Sequence, residues 1–444
     1  MTTLVWFRDD LRIADHPALA HAADDPDGVV AVYVLDEQSP GIRPLGGAAR
    51  WWLHHALLSL RESLQALGVP LILRRGPAGR EIDVLVDESA ATRVVWNRRY
   101  GGAAREIDAE LKRSLRDRGV AADSFPGNVL HEPWTIRSGS GHPYRRYTPY
   151  WRAILAGPRP QSPIPAPERL VPPRDHPRSD ELDDWKLLPT APDWAGGLAD
   201  AWQPGEPAAT QRLDDFLADD VHDYAARRDL PAADGTSRLS PHLRWGEISP
   251  RTVWATARRG GRRHVDTFLG EVGWREFAIH TLFHQPDLAE RNLDGRFDRF
   301  RWADADDDTV GAWQRGETGI PLVDAGMREL WHTGSMHNRV RMVTASFLTK
   351  NLLIDWRVGE RWFWDTLVDA DEANNPFNWQ WVAGCGADAA PYFRIFNPLL
   401  QQQKFDPDGR YVERWAPDSV ARPPIVDLAF TRERALAEFD RIRG

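Results

Sequence analysis

The sequence predicts an N-terminal α/β domain built on a doubly wound parallel sheet, then an all-α C-terminal domain, joined by a long Pro-rich connector. Three observations carry this. Short β-branched apolar runs alternate with amphipathic stretches through residues 1–133, and 12 of the 34 prolines fall between Gly157 and Pro207. From Ala208 to the end of the 444 residues, apolar positions recur at helical spacing. The expected boundaries are therefore 1–133, 134–207 and 208–444.

In the first domain Leu4–Phe7, Val29–Leu35, Leu71–Leu73 and Val94–Trp96 read as buried strands, and Ala48–Leu67 and Arg105–Arg118 as helices between them. No G-x-G-x-x-G follows the first strand, which disfavours an ordinary dinucleotide site there. Trp51, Trp52, His54 and His55 suit packing first, contact with a small chromophore second. The proline density of the connector forbids a long helix, while Trp185, Trp194 and Trp202 imply that it lies ordered against the domains. Beyond it, Thr210 and Thr309 are expected helix caps, and neither an internal repeat nor a sustained heptad is visible.

Composition bounds the function classes. One Cys excludes a disulfide framework and a Cys-rich metal or iron–sulfur site, and no metal is expected. The longest apolar run, Val29–Leu35, is too short to span a bilayer, so a cytoplasmic protein without a membrane partner is expected. A net charge of -9 argues against a generally basic nucleic-acid binder, so any DNA contact needs a local basic face. Arg258, Arg259, Arg262, Arg263 and Arg339 are candidates for that face, although an Arg run is also ordinary solvated surface.

Four stretches carry chemistry. Asp369–Pro398 (DADEANNPFNWQWVAGCGADAAPYFRIFNP) sets carboxylates and adjacent Asn beside Trp, which suits a polar rim on an aromatic pocket for a flat heteroaromatic ligand. The same mixture suits a plain aromatic core with a polar cap. Gly235–Pro241 (GTSRLSP) offers hydroxyls, backbone N–H groups and an Arg, either a phosphate nest or a helix cap. Glu271, Trp274 and Arg275 share one helical face at i, i+3 and i+4 on a helix around Phe268–Phe283. Asn338, Arg341 and Met342 repeat that spacing on a helix expected over Ser335–Lys350, where a buried amide would match both edges of a pyrimidine or flavin.

These stretches, with LVWFRDDL at Leu4–Leu11, WREF at Trp274–Phe277, MHNRVRM at Met336–Met342 and Asp355–Trp356, resemble the cryptochrome and DNA photolyase family over nearly the whole chain. The pattern is most similar to cyclobutane pyrimidine dimer photolyases, and WWLHHAL, WNRRY and TGSMHNR point to the class III branch near the plant cryptochromes. The resemblance implies an FAD-binding helical domain and light-driven repair of ultraviolet-damaged DNA by a carbon–carbon lyase. It implies that Thr236, Ser237, Arg238, Leu239 and Ser240 cradle the pyrophosphate, with Tyr224, Phe268 and Arg275 at the same cofactor. Asp369, Ala370 and Asp371 would hold the flavin ring and ribose, Arg341 would pair with Asp369, and Asn375 would face the redox-active ring nitrogen. Glu271, Trp274, Asn338, Met342 and Trp381 would contact the dimer, with Glu271 and Asn338 also at the flavin, while Trp379, Trp356 and Trp302 would relay electrons from the surface.

An antenna chromophore is also implied, in the first domain or at the interdomain cleft, with 5,10-methenyltetrahydrofolate favoured over 8-hydroxydeazaflavin. A monomer is expected. Departures from the family pattern are Ser335 where many relatives carry Trp, one extra residue between Trp302 and Trp313, Gln402 in place of a frequent Gly, and a short segment between Tyr411 and Pro424. Two rivals remain: a cryptochrome-type blue-light receptor without repair, which needs no complete dimer-binding set, and repair of six-four photoproducts, which wants a His pair where His337 is followed by Asn338.

Overall fold

The architecture is taken from a computed structural model that describes residues 2–174, 176–259, 264–389 and 393–443. Five strands, β1 (Thr2–Phe7), β2 (Val29–Leu35), β3 (Leu71–Arg75), β4 (Ala91–Asn97) and β5 (Ala121–Phe125), form one parallel sheet in the order β3-β2-β1-β4-β5. Both faces are covered. Val5, Phe7, Ala31, Tyr33, Leu73 and Val95 enter one core, and Leu4, Trp6, Val30, Val32, Val94 and Trp96 enter the other. A sheet buried on both sides needs continuous apolar strands, which is why these runs show no alternation in the sequence. The edge strand β5 is AADSF; too short and polar to carry the signal, it escaped the sequence reading.

Strand order reverses between β1 and β4. The loops leaving these strands open a crevice at their carboxyl ends, where doubly wound sheets usually take ligands. Here the helical domain closes over that crevice. Gly246, at φ +62, brings its backbone so close that a Cβ would lie 2.1 Å from the Asp9 carbonyl oxygen. Leu11 N–H donates to the Trp245 carbonyl at 3.0 Å, and Arg12 donates to the carbonyls of Asp15, Gly127 and Gly246.

The expected connector divides in two. Helix Tyr147–Ala156 packs through Tyr150 and Ile154 onto Phe277 and its neighbours in the helical domain. The Pro-dense remainder runs back along the α/β domain, where Trp185 and Trp202 are buried and Trp194 packs against the same core. Neither expected Thr cap is at a helix start. Asp306 caps Asp307–Arg315 by accepting from Thr309 N–H, and Thr210 lies within Glu206–Asp215 with its hydroxyl bonded to the Glu206 carbonyl. The helix expected from Ser335 begins at Asn338 behind an N-cap at His337; it continues through a π turn, Phe347–Asn351. Asp324 ties the short C-terminal segment down by accepting from Thr318, Gly319 and Ser419.

No helix among the described residues is long and apolar enough to cross a membrane, and no cluster of three or more of their His, Cys, Asp and Glu side chains is arranged to hold a metal ion.

Candidate functional site

A cavity of about 430 Å³ opens within the helical domain. Its walls come from helices Val265–His284, Asn338–Ser346, Trp356–Thr366 and Asn374–Ala383, with the loop before Ser240–Arg244. Both spaced triplets converge on it: Glu271, Trp274 and Arg275 from one helix, Asn338, Arg341 and Met342 from another. Tyr224, Ser237, Leu239, Ser240, Phe268, Asp369, Ala370, Asp371, Asn375, Trp379 and Trp381 complete much of the lining. Thr236 and Arg238 do not line it. The Arg238 guanidinium lies 4.3 Å over Trp202 and donates to the Ala201 carbonyl at 3.2 Å. Asn338 is exposed at the mouth, not buried, because it is the first residue of its helix.

Charge is concentrated on one wall. Arg341 meets Asp369 through two bonds, at 3.1 and 2.9 Å, a fork that fixes both groups. Asp371 caps Asn374–Ala383 by accepting from Ala373 and Asn374 N–H, so its position follows from the helix start. The Asn375 amide nitrogen donates to Glu360, to the carbonyl at 3.0 Å and to Oε1 at 2.8 Å. That fixes which end of the amide faces Glu360 and leaves its carbonyl oxygen free of any bond to the described residues.

At the mouth, Arg228 donates to Glu271 at 2.5 Å. Burial opposes the Arg228 charge, yet the Glu271 bond and charge hold its pKa above the usual value. Tyr147 stacks on Trp274 with ring centroids 3.7 Å apart and its hydroxyl bonded to the Gly270 carbonyl at 2.6 Å. Arg394 lies 5.3 Å over Trp381, and Arg145 and Arg146 are exposed nearby in sequence to Tyr147. Of the basic candidates, Arg258 pairs with Asp266 and Arg339 with Asp229; Arg262 and Arg263 lie outside the described residues. His337 does not line the cavity, and burial pushes its imidazole down to about 4.

Trp379 is buried against Phe363, with centroids 4.9 Å apart, and its indole N–H has no partner among the described residues. It packs on Gly359, where a Cβ would meet the Trp379 ring at 2.1 Å. Trp356 lies one turn earlier on that helix, fully buried and bonded to Asn292; Trp302 is half-buried against Phe300. Trp51 and Trp52 belong to the α/β core, and Trp52 donates to Glu247 at 2.9 Å. His55 packs beside Trp51, and His54 beside His55.

Sequence reading missed Arg228, Glu360 and Tyr147. Each lies far along the chain from its partner, and no local spacing marks it.

A family model for the FAD-binding domain of DNA photolyase matches residues 268–424, and one for DNA photolyase matches residues 3–168. The deoxyribodipyrimidine photo-lyase of Agrobacterium fabrum is 49% identical over 99% of this chain and 98% of its own length. The chain belongs to the DNA photolyase and cryptochrome family. Within that family, Arabidopsis thaliana Cryptochrome-2 is 37% identical over 95% of this chain and 71% of its own length. The crystal structure of a class III photolyase from Agrobacterium tumefaciens superposes with a TM-score of 0.95 at 47% identity, covering 100% of this chain and 98% of that one. The branch suggested by WWLHHAL, WNRRY and TGSMHNR is thus also that of this solved relative.

The photolyase cavity fits a flavin by its own chemistry. It combines an amide oxygen open to a donor, an ion-paired carboxylate and aromatic walls, the complement of a flat ring edged with donors and acceptors.

Proposed function

We propose that this protein is a light-driven DNA repair enzyme, a deoxyribodipyrimidine photo-lyase that splits cyclobutane pyrimidine dimers in ultraviolet-damaged DNA. One observation carries the reading: two helices each place, three and four positions apart, a residue assigned to the cofactor beside residues assigned to the dimer, Arg275 with Glu271 and Trp274 on one and Arg341 with Asn338 and Met342 on the other, and all six line one cavity. A receptor that only reduced its flavin would need the first set alone. Repair of six-four photoproducts is disfavoured because His337 is turned away from the cavity and held neutral.

Bound FAD in its reduced form supplies, on excitation, the electron that opens the cyclobutane ring and receives it back. The chain's own residues position, hold and exclude. Asp369, fixed by Arg341, and Asp371, fixed at its helix start, accept from the ring and ribose. Ser237 and Ser240 present hydroxyls, and their loop its N–H groups, to the pyrophosphate. Asn375 offers a carbonyl oxygen to a protonated ring nitrogen; a carboxylate there would titrate or repel. The dimer must leave the duplex to reach this depth, the base-flipping step general for photolyases. Trp274, backed by Tyr147, and Trp381 would flank the extruded dimer, while Glu271, held by Arg228, accepts from a base edge. Arg145, Arg146 and Arg394 are exposed to take phosphates, the local basic face that an acidic chain requires. Trp379 and Trp356, both buried, and the more exposed Trp302 form the path for photoreduction.

The antenna is 5,10-methenyltetrahydrofolate on this reading, with 8-hydroxydeazaflavin the alternative. The interdomain crevice, at about 170 Å³, is small for either. A second opening of about 610 Å³, on the helical domain, suits a pterin better. There Trp331 and Trp362 stack in parallel, 7° apart with centroids at 6.0 Å, and Trp331, 56% exposed, offers an aromatic face to a flat ring. Arg315, Arg328 and Arg414 line the same opening and would meet a folate's carboxylates.

Anaerobically reduced protein mixed with ultraviolet-irradiated oligothymidine should restore thymine absorbance under blue light and not in the dark; no recovery with flavin bound and reduced would leave the receptor reading. Trp379→Phe should slow photoreduction by about a hundredfold or more, yet leave repair by chemically reduced enzyme intact. Trp331→Ala should remove the antenna's absorbance while repair under direct flavin excitation persists, and extraction of the chromophore from the unaltered protein identifies it.

A further inference from the structure

Arg43 belongs to the α/β domain, on the loop between β2 and helix Gly47–Ala66, yet its guanidinium ends against the helical domain. It grips Glu360 through two bonds, at 2.7 and 3.1 Å, and lies 4.0 Å over Trp364, one turn later on the same helix. The loop is clasped on either side. Trp364 donates its indole N–H to the Pro44 carbonyl at 2.9 Å, and Gly47 N–H donates to Asp365 Oδ1 at 2.8 Å. Glu360 is only 2% exposed, and its Oε1 also accepts from Asn375. A continuous chain, Arg43 to Glu360 to Asn375, thus runs from the interdomain crevice into the flavin cavity.

We propose that Arg43 is a positioning residue for the flavin: by holding the Glu360 carboxylate from the other domain, it fixes the Asn375 amide with its oxygen toward the cofactor and so favours the reduced state. This rests on the placement of FAD beside Asn375. An amide can present either end. Two bonds from its nitrogen to Glu360 turn the oxygen outward, where it accepts from the N–H of a reduced ring; a reversed amide would donate, and so favour the oxidised ring. Glu360 keeps that orientation only while anchored, because a carboxylate stripped of its cation in a dry site is costly and moves or takes up a proton. Loss of the Arg43 charge also leaves the surroundings more negative, which opposes adding an electron. Both effects have the same sign.

The test is the midpoint potential of bound flavin by spectroelectrochemical titration, a reading independent of whether the protein repairs DNA. Arg43→Ala should lower the ratio of reduced to oxidised flavin at a fixed potential about tenfold, some 30 mV for a two-electron couple. Arg43→Lys, which keeps the charge but not the fork, should shift it less. Asp365→Ala, which opens the neighbouring clasp without touching the chain, should lower stability and leave the potential in place. In a Glu360→Gln background, Arg43→Ala should lose most of its effect, because the link it acts through is gone. An unchanged potential in Arg43→Ala, or an equal shift in Asp365→Ala, would overturn the proposal: the first leaves Arg43 without influence, the second makes domain docking the cause. Loss of repair with these shifts intact would count against the repair reading alone.

Discussion

The two neighbouring cavities share Arg244, Arg275 and Asp371 in their walls and solve opposite problems. The crevice at the sheet's carboxyl edge has about 170 Å³ left, and four of its arginines are taken up by carboxylates: Arg8 and Arg99 by Asp108, Arg244 by Asp9, Arg43 by Glu360. The helical cavity keeps about 430 Å³ and leaves the Asn375 oxygen without a partner among the described residues. Strand order alone would have placed a ligand in the first. In this molecule arginines from the α/β domain meet carboxylates of both domains there, and the residues proposed to hold the flavin line the second.

Substitutions that divide along this line test it. The largest effect is expected for Arg8→Ala, which strips a buried cation from Asp108 and from its seat 4.3 Å over Trp6. It should cost about 3 kcal/mol in denaturant unfolding while FAD stays with each folded molecule. Flavin loss ahead of unfolding would break the distinction between the cavities.

Next comes Glu276, wedged behind Arg275 and accepting from Leu130 N–H at 2.8 Å. Burial, opposed by Arg275, raises its carboxyl from 4.5 to about 7. The folded state therefore holds a proton that the unfolded chain has released. Its contribution is fully present below about pH 4.5 and is lost as pH rises toward 7. Glu276→Gln should remove that loss and gain on the unaltered protein through this window, by on the order of 3 kcal/mol, levelling above it. A difference that does not change with pH would show that Glu276 is charged in the fold. The comparison is between the two proteins because His280 and His337, each pushed down to about 4 by burial, titrate with the opposite sign nearby.

The smallest effect belongs to Glu271→Ala. It faces the mouth of the cavity and pairs with Arg228, so dimer-containing DNA should bind about tenfold more weakly with FAD retained. Loss of FAD in this variant would extend the cofactor's share of the cavity to its mouth.

Legibility followed range. Spacings of three and four residues fix a shared helical face, so the sequence alone groups Glu271 with Trp274 and Arg275, and Asn338 with Met342, and both groups line the cavity. The pairing of Arg341 with Asp369, implied by family resemblance, is present as a two-bond fork across 28 positions. Thr210 and Thr309 misled because a hydroxyl near a helix start looks like a cap in sequence, while Thr210 bonds back to the Glu206 carbonyl and Asp306 holds the capping position ahead of Thr309. Tyr147, in a stretch read as connector, became the support of Trp274 through a stack that joins residues 127 positions apart.

The sequence by itself determined the layers: β-branched runs long enough to be buried on both faces, a Pro-dense return and a helical remainder, together with which residues share a helical face. These follow from local periodicity and backbone sterics, which act over a few residues. Only the tertiary structure decided which faces meet, that arginines of the sheet's crevice are taken up in ion pairs, that Trp331 and Trp362 stack in parallel, and that Arg43 reaches Asn375 through Glu360. Those depend on burial, charge pairing and close approach between segments up to 317 residues apart, and no local pattern encodes them.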